Sequence, residues 1–191
     1  MKDAAQIGSR LETFIDAWGI DRMAGTTRVK PPPTPQNAAL IFDEPWEGNC
    51  SGYVTVFKDG DQYRMYYRGS QVDYTEDETR DSDQVVCYAE SADGINWKKP
   101  SLGLVEFNGS ADNNIIWNGL GDHNFSPFKD ANPDCPSDQL YKALGGDKSG
   151  LTAFTSPDGI NWSISSEEPI ITDGYFDSQN LAFWDTMIGA Y

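Results

Sequence analysis

Ser91-Ala92-Asp93-Gly94-Ile95-Asn96-Trp97 returns further along the chain as Ser156-Pro157-Asp158-Gly159-Ile160-Asn161-Trp162. A second motif accompanies it, as Phe57-Lys58-Asp59, Phe128-Lys129-Asp130 and Phe183-Trp184-Asp185. The first two copies lead into Asp61-Gln62-Tyr63-Arg64 and Asp138-Gln139-Leu140-Tyr141-Lys142. Two coupled motifs in one order specify an internal repeat, and a repeat decides the architecture before any single element does. Each unit reads as a β-meander. Tyr53 to Phe57 is predicted as a strand, Asp59-Gly60 as a hairpin turn, and Tyr63 to Tyr67 as the returning strand. Val85 to Ala89 follows, then the turn at Asp93-Gly94. Phe125 to Phe128, Tyr141 to Leu144, Leu151 to Thr155 and Asp158-Gly159 are the matching pieces of the second unit. Insertions at Gln71 to Gln84 and Ala131 to Ser137 account for the extra length. Four-stranded meanders in series are the pattern of a β-propeller, so the expected fold is all-β.

Working outward, 1–44 is expected to be an N-terminal arm. Ile7, Leu11, Ile15 and Trp18 have helical spacing, while 11–16 also alternates as a strand does. Lys30-Pro31-Pro32-Pro33-Thr34-Pro35 fits neither element, because proline lacks the backbone donor; it reads as an extended crossing segment. The remaining divisions are 45–118 for the first blade, 119–173 for the second and 174–191 for the start of a third.

The chain has 191 residues with 14 basic and 30 acidic side chains, a formal charge of −16. Its 13% aromatic content is that of a chain with a core to bury, not of a disordered polymer. So negative a balance argues against binding a phosphate backbone and for neutral or cationic ligands. No apolar run approaches the length of a membrane helix. Cys50, Cys87 and Cys135 are odd in number and lack metal-ligand spacing. Met1 to Gln6 leads into no apolar signal-peptide core, and the compartment stays open.

Several runs carry a family resemblance: Pro45-Trp46-Glu47-Gly48; Tyr63-Arg64-Met65-Tyr66-Tyr67-Arg68; Cys87 to Trp97; Asn124-Phe125-Ser126-Pro127-Phe128-Lys129-Asp130-Ala131-Asn132-Pro133; and Phe176-Asp177-Ser178-Gln179-Asn180-Leu181-Ala182-Phe183-Trp184-Asp185. Together they resemble the invertase/arabinanase/levansucrase-like group of glycosidases, in an environmental bacterial branch, over roughly Leu11 to Tyr191. The resemblance implies a five-bladed propeller of the glycosidase type with a sugar site in its central channel. On this reading the chain is expected to hold two blades and the first strand of a third, and the Asn-Asp-Pro motif that opens blade one in invertases is absent.

Glycosidic cleavage commonly uses two carboxyl groups. In the related propellers these stand at the starts of the innermost strands. Eight residues before Asp130 and Asp185 lie Asp122 and Asp177. The equivalent place before Asp59 holds Ser51, and Glu47 in the entry loop takes the third acidic position. The expected catalytic residues are therefore Glu47, Asp122 and Asp177, each of which reads alternatively as a solvated loop carboxylate. His123, the only histidine, is expected to contact substrate, shuttle a proton or hold a turn. Asn124, Gln179 and Asn180 suit sugar hydroxyls, offering both donors and acceptors, and equally suit strand caps. Arg68 could bind a carboxylated sugar, pin an acid or form a surface ion pair. Trp46, Trp117 and Trp184 are stacking candidates, whereas Trp97 and Trp162 repeat between units and are assigned to structure. Asp59, Asp130 and Asp185 are assigned mainly to turns. No cofactor is expected. The acidic run Asp73, Glu76, Asp77, Glu78, Asp81 and Asp83 reads as a solvated loop, with a calcium site lacking EF-hand spacing as the other reading.

The function expected is a glycoside hydrolase on an unidentified carbohydrate. The alternatives are a non-catalytic carbohydrate-binding or interaction propeller and a polar scaffold without a sugar site. The expected partners are carbohydrate and a second copy in a homodimer, with no nucleic acid and no membrane.

Overall fold

The computed structural model describes residues 6–8, 13, 15–74, 79–81, 84–166 and 168–191. The chain divides into two units, Met1–Asn37 and Ala38–Tyr191. The described part of the first has no regular strand or helix. The alternation read over 11–16 falls partly outside the described residues. The second unit takes in Leu40 and Phe42, which pack against its core, so it begins ahead of the blade boundary expected at 45.

The second unit is all-β. Its first sheet is formed by β1 (Gly52–Asp59), β2 (Gln62–Gly69), β5 (Val85–Ser91) and β6 (Ile115–Asn118), in that order. A hairpin of β3 (Val72–Tyr74) and β4 (Thr79–Asp81) occupies the insertion between β2 and β5. The second sheet is formed by β7 (Ser126–Lys129), β8 (Tyr141–Asp147), β9 (Gly150–Ser156) and β10 (Ser163–Ile164), ordered β10-β9-β8-β7. All pairings are antiparallel. Pro127 is tolerated because β7 is an edge strand of its sheet.

The repeated turn is built by the same bonds twice. Ser91 Oγ accepts from Gly94 N at 2.9 Å, and Asp93 Oδ1 accepts from Ile95 N and Asn96 N at 2.8 Å. Ser156 and Asp158 do the same for Gly159, Ile160 and Asn161. Trp97 and Trp162 each donate Nε1–H to the turn glycine carbonyl. The backbone amides of Asn96 and Ile95 hold the Asp93 carboxyl well below the usual range. These are side-chain-closed turns that Asp and Ser favour, so the motif is structural.

Strand alternation sends successive side chains to opposite faces. Tyr66, Val86 and Tyr88 face the second sheet and pack with Phe125, Ala143, Phe154 and Trp162. Tyr66 and Phe154 are fully buried, worth about 1.5–3 kcal/mol each. Met65, Tyr67, Cys87 and Ala89 line the other face, covered by Leu40, Phe42, Trp46, Trp97 and Phe107.

The register repeats as well as the turn. Tyr63 pairs with Lys58 and Ser91, and Tyr141 with Lys129 and Ser156. Phe57, Tyr66, Val86 and Tyr88 therefore correspond to Phe128, Leu144, Leu151 and Ala153. The first four pack between the sheets. The second four line a cavity of about 740 Å³, with Leu181, Phe183, Ile188 and Tyr191 on its other side.

The Phe-x-Asp aspartates close successive units. Asp59 accepts from Arg64 Nε (2.6 Å), Lys129 Nζ (2.5 Å) and Tyr141 OH (2.5 Å), so its partners come from both sheets. Asp130 repeats the scheme with Lys142 and with Tyr191 OH at 2.6 Å. Tyr191 stands to Asp130 as Tyr141 stands to Asp59. Asp59 and Asp130 are cross-ties, a more specific job than the turn role expected of them, whereas Asp185 accepts from Met187 N within its own turn.

Candidate functional site

Between the two sheets the chain turns at Asp122–Asn124, a short 3-10 segment entered through Gly121 at φ 77°. A Cβ at Gly121 would lie 2.9 Å from the Phe154 ring and 3.2 Å from the Gly145 carbonyl carbon. Glycine is thus required by both conformation and space. Asp122 Oδ2 accepts from Gly119 N at 2.8 Å, which fixes the turn from its own side.

Asn124 is fully buried. Its Oδ1 accepts from Gly146 N at 2.8 Å, and its Nδ2 donates to the carbonyls of Phe176 (2.5 Å) and Ser178 (3.1 Å). One amide therefore straps the segment around Asp177 to the turn that carries His123. Two further ties come from the first sheet. Tyr53 OH donates to the Asp177 carbonyl at 3.0 Å, and Gln179 Nε2 donates to Tyr53 O (2.9 Å) and Thr55 Oγ1 (3.1 Å). The result places Asp177 Oδ1 3.7 Å from His123 Nε2.

Nδ1 on the other side of the imidazole lies 2.9 Å from Gln84 Oε1 and 3.1 Å from Arg68 Nη1. A proton on Nδ1 donates to Gln84; a bare Nδ1 accepts from Arg68. Arg68 also donates to Cys50 O at 3.2 Å and lies over the Tyr53 ring, 4.6 Å from its centroid. Its buried Nε has no partner among the described residues. Tyr53 has φ 51°, a left-handed conformation costly for a bulky side chain. It occurs where β1 slips register between Gly52 and Thr55. The strain aims one ring at Arg68 and at His123, whose ring centroid is 5.3 Å away.

Asp122, His123, Asp147 and Asp177 line a single cavity of about 550 Å³, together with Gln84 and Lys148, and Tyr175 and Phe176 supply aromatic surface. Gln84 and Asp122 also line an adjoining cavity of about 400 Å³ that includes Glu106 and Asn108. Three acids, a histidine, a lysine and aromatic rings around one space include the parts needed to hold a polar ring and transfer a proton to it.

Other residues expected at the site are engaged elsewhere. Glu47 is fully buried, not an open entry-loop carboxylate. Its Oε2 accepts from Lys99 Nζ (2.7 Å) and Glu44 N (2.9 Å), and its Oε1 from Tyr67 OH (2.5 Å). Burial raises the Tyr67 phenol, with Cys87 and the Glu47 bond adding to the rise. Trp46 donates Nε1–H to Asn114 Oδ1 at 2.7 Å, packs edge-on against Phe107 and does not line the cavity. Trp117 packs on Phe154, and Trp184 on Tyr191; neither lines the cavity. Asn124 cannot meet a ligand while buried, and Asn180 Nδ2 donates to Ser178 O at 2.7 Å. Asn124, Gln179 and Asn180 thus build the strap. Arg68 meets His123 and does not line the cavity.

Tyr53 and Gln84 were not expected here. Nothing in the order of residues around Tyr53 marks a left-handed tyrosine, and Gln84 lies at the end of an insertion. Among the described residues, no group of three or more His, Cys, Asp or Glu side chains gathers as a metal site. Glu76, Asp77, Glu78 and Asp83 of the acidic run lie outside the described residues. Nor, among those residues, is any helix long and apolar enough to cross a membrane. No family model, curated protein or solved structure matches the chain.

Proposed function

We propose that the two sheets are successive blades of a five-bladed propeller, and that the chain belongs to a glycoside hydrolase of the invertase/arabinanase/levansucrase-like type. The observation that carries this reading is the meeting of Asp122 and Asp177 in one cavity beside the only histidine. Each stands eight residues before the aspartate of a Phe-x-Asp motif, so two repeat-equivalent positions converge on one space. In this reading one carboxyl protonates the glycosidic oxygen. The other acts at the anomeric carbon, directly or through water. His123 stands beside Asp177, its Nε2 3.7 Å from Asp177 Oδ1, and Tyr53, Asn124 and Gln179 hold Asp177 in reach. The burial of Glu47 leaves Asp122 and Asp177 as the repeat-equivalent acids; Asp147, the third acid of the cavity, accepts from Ser149 N and Ser149 Oγ in its own turn.

The apolar face around Leu144 and Leu151 belongs to the same proposal. Its repeat-equivalent in the first sheet is covered by a sheet, and self-association through this face would cover it in a two-fold dimer.

The chain alone is expected to hydrolyse aryl-glycosides very weakly, because it supplies only part of a channel wall. Turnover by Asp177→Asn should fall at least about a hundredfold with an unchanged circular dichroism spectrum, since the side chain is 96% exposed. Wild-type rates in that variant would remove Asp177 from the mechanism. A carbohydrate-binding protein without catalysis is the second reading. It is favoured by the engagement of one Asp122 oxygen in its own turn, and it predicts saccharide binding with no turnover that depends on Asp177.

A further inference from the structure

We infer that Tyr175 is the platform on which a neutral sugar ring stacks in this cavity, an inference that rests on the carbohydrate reading above. Tyr175 is 94% exposed and lines the cavity of Asp122, His123 and Asp177. Among the described residues it makes no hydrogen bond and no ring contact, so no internal packing explains its place. An exposed aromatic side chain alone means little. This one sits on a backbone fixed immediately downstream, where Asn124 holds the carbonyls of Phe176 and Ser178 and Tyr53 holds that of Asp177.

Gly174 contributes from the other side. The Phe176 ring folds back over it, 2.9 Å from where a Cβ would stand, so an aromatic ring packs directly against the backbone that leads into Tyr175. The cavity therefore combines two kinds of lining, the aromatic rings of Tyr175 and Phe176 and the polar side chains of Asp122, His123, Asp147, Lys148 and Asp177. A sugar has the matching anisotropy. Its C–H face is apolar and fits an aromatic face, while its hydroxyls and glycosidic oxygen lie at the edge, where donors and acceptors meet them. The chain's −16 charge is compatible with a neutral ligand and opposes an anionic one.

Isothermal titration calorimetry of the full chain with neutral oligosaccharides of glucose, xylose, arabinose and fructose tests the assignment. Tyr175→Ala should weaken the best ligand about tenfold, whereas Tyr175→Phe and Tyr175→Trp, which keep the ring, should stay within about threefold of wild type. Wild-type affinity in Tyr175→Ala would overturn the platform and leave the cavity reading standing. So would a Tyr175→Ala variant that changes only the oligomeric state, which would make the ring a contact between copies. Absence of binding by the wild-type chain to every saccharide would overturn the cavity reading and the platform together.

Discussion

Glu47→Ala is expected to cost the fold about 3–5 kcal/mol, the range for removing one partner of a buried ion pair. The carboxylate has no exposed surface, and the Lys99 ammonium it pairs with is only 14% exposed. Truncation leaves that ammonium with Asp43 and the Ile41 carbonyl. It also removes the acceptor of the Tyr67 hydroxyl inside the core. The loop around it is equally dependent. Ser70 N and Ser51 Oγ bond the Glu47 carbonyl, and Gly48, at φ 64°, lies so close to the Ser70 carbonyl that a Cβ would stand 2.3 Å from it. Because this loop leads to Tyr53 and Arg68, its loss also unmakes the site. Urea unfolding measures the effect. Asp177→Asn, in contrast, should unfold at the wild-type midpoint. Equal stability of Glu47→Ala and wild type would show that the pair is not the support described.

Asp59→Ala should be comparably destabilising, by about 3–5 kcal/mol, because it leaves Arg64, which is 11% exposed, without its carboxylate and with only the Asp158 carbonyl and the Tyr141 ring, and cuts the tie between the sheets. Asp59→Asn keeps the volume and one acceptor oxygen and should lose less. Burial by itself raises the Asp59 carboxyl. Bonds from Lys129 and Tyr141 and the charge of Arg64 outweigh burial, so its pKa ends below the ordinary value. For Asp130 the balance of burial against Lys142, Tyr191 and the Asn132 amide brings the value to about 2. A carboxyl whose pKa falls on folding contributes stability that is full above its unfolded value, about 3.9. That contribution is lost as pH falls through the folded value. Stability should therefore drop between about pH 4 and pH 2, and the drop should be shallower in Asp59→Asn. A wild-type slope unchanged in that variant would contradict the cross-tie.

The repeat was legible because its turn is local. Ser91, Asp93 and Trp97 bond within a few residues of themselves, as do Ser156, Asp158 and Trp162, so residue order and structure carry the same information. The two antiparallel sheets follow from strand alternation and from the Asp-Gly turns. The spacing from the Phe-x-Asp motifs picked out Asp122 and Asp177, which line one cavity. It placed them at the starts of innermost strands, whereas Asp122 lies in a 3-10 turn and the described residues 174–191 form no regular strand. Long-range partners were not legible. Glu47 is buried because Lys99 returns from beyond β5 to neutralise it, and no local pattern around Glu47 shows that. Asn124 has a side chain suited to sugar hydroxyls, yet Phe176 and Ser178 claim its amide first. Tyr53 adopts its left-handed conformation in a register slip of β1, which depends on how β2 pairs with it. The dual role of Asp59 appears only once Lys129 and Tyr141 arrive from the second sheet.

His123 makes the central claim directly measurable, because the only histidine in the chain gives one imidazole signal set by nuclear magnetic resonance. The decisive measurement is a titration of the ¹⁵N-labelled chain with the same neutral oligosaccharides, following the His123 ring resonances. A carbohydrate site built from Asp122, His123 and Asp177 predicts a saturable shift of those resonances with at least one saccharide, and a weaker response in His123's partner variant Asp177→Ala. An imidazole signal that stays fixed through every titration would contradict it.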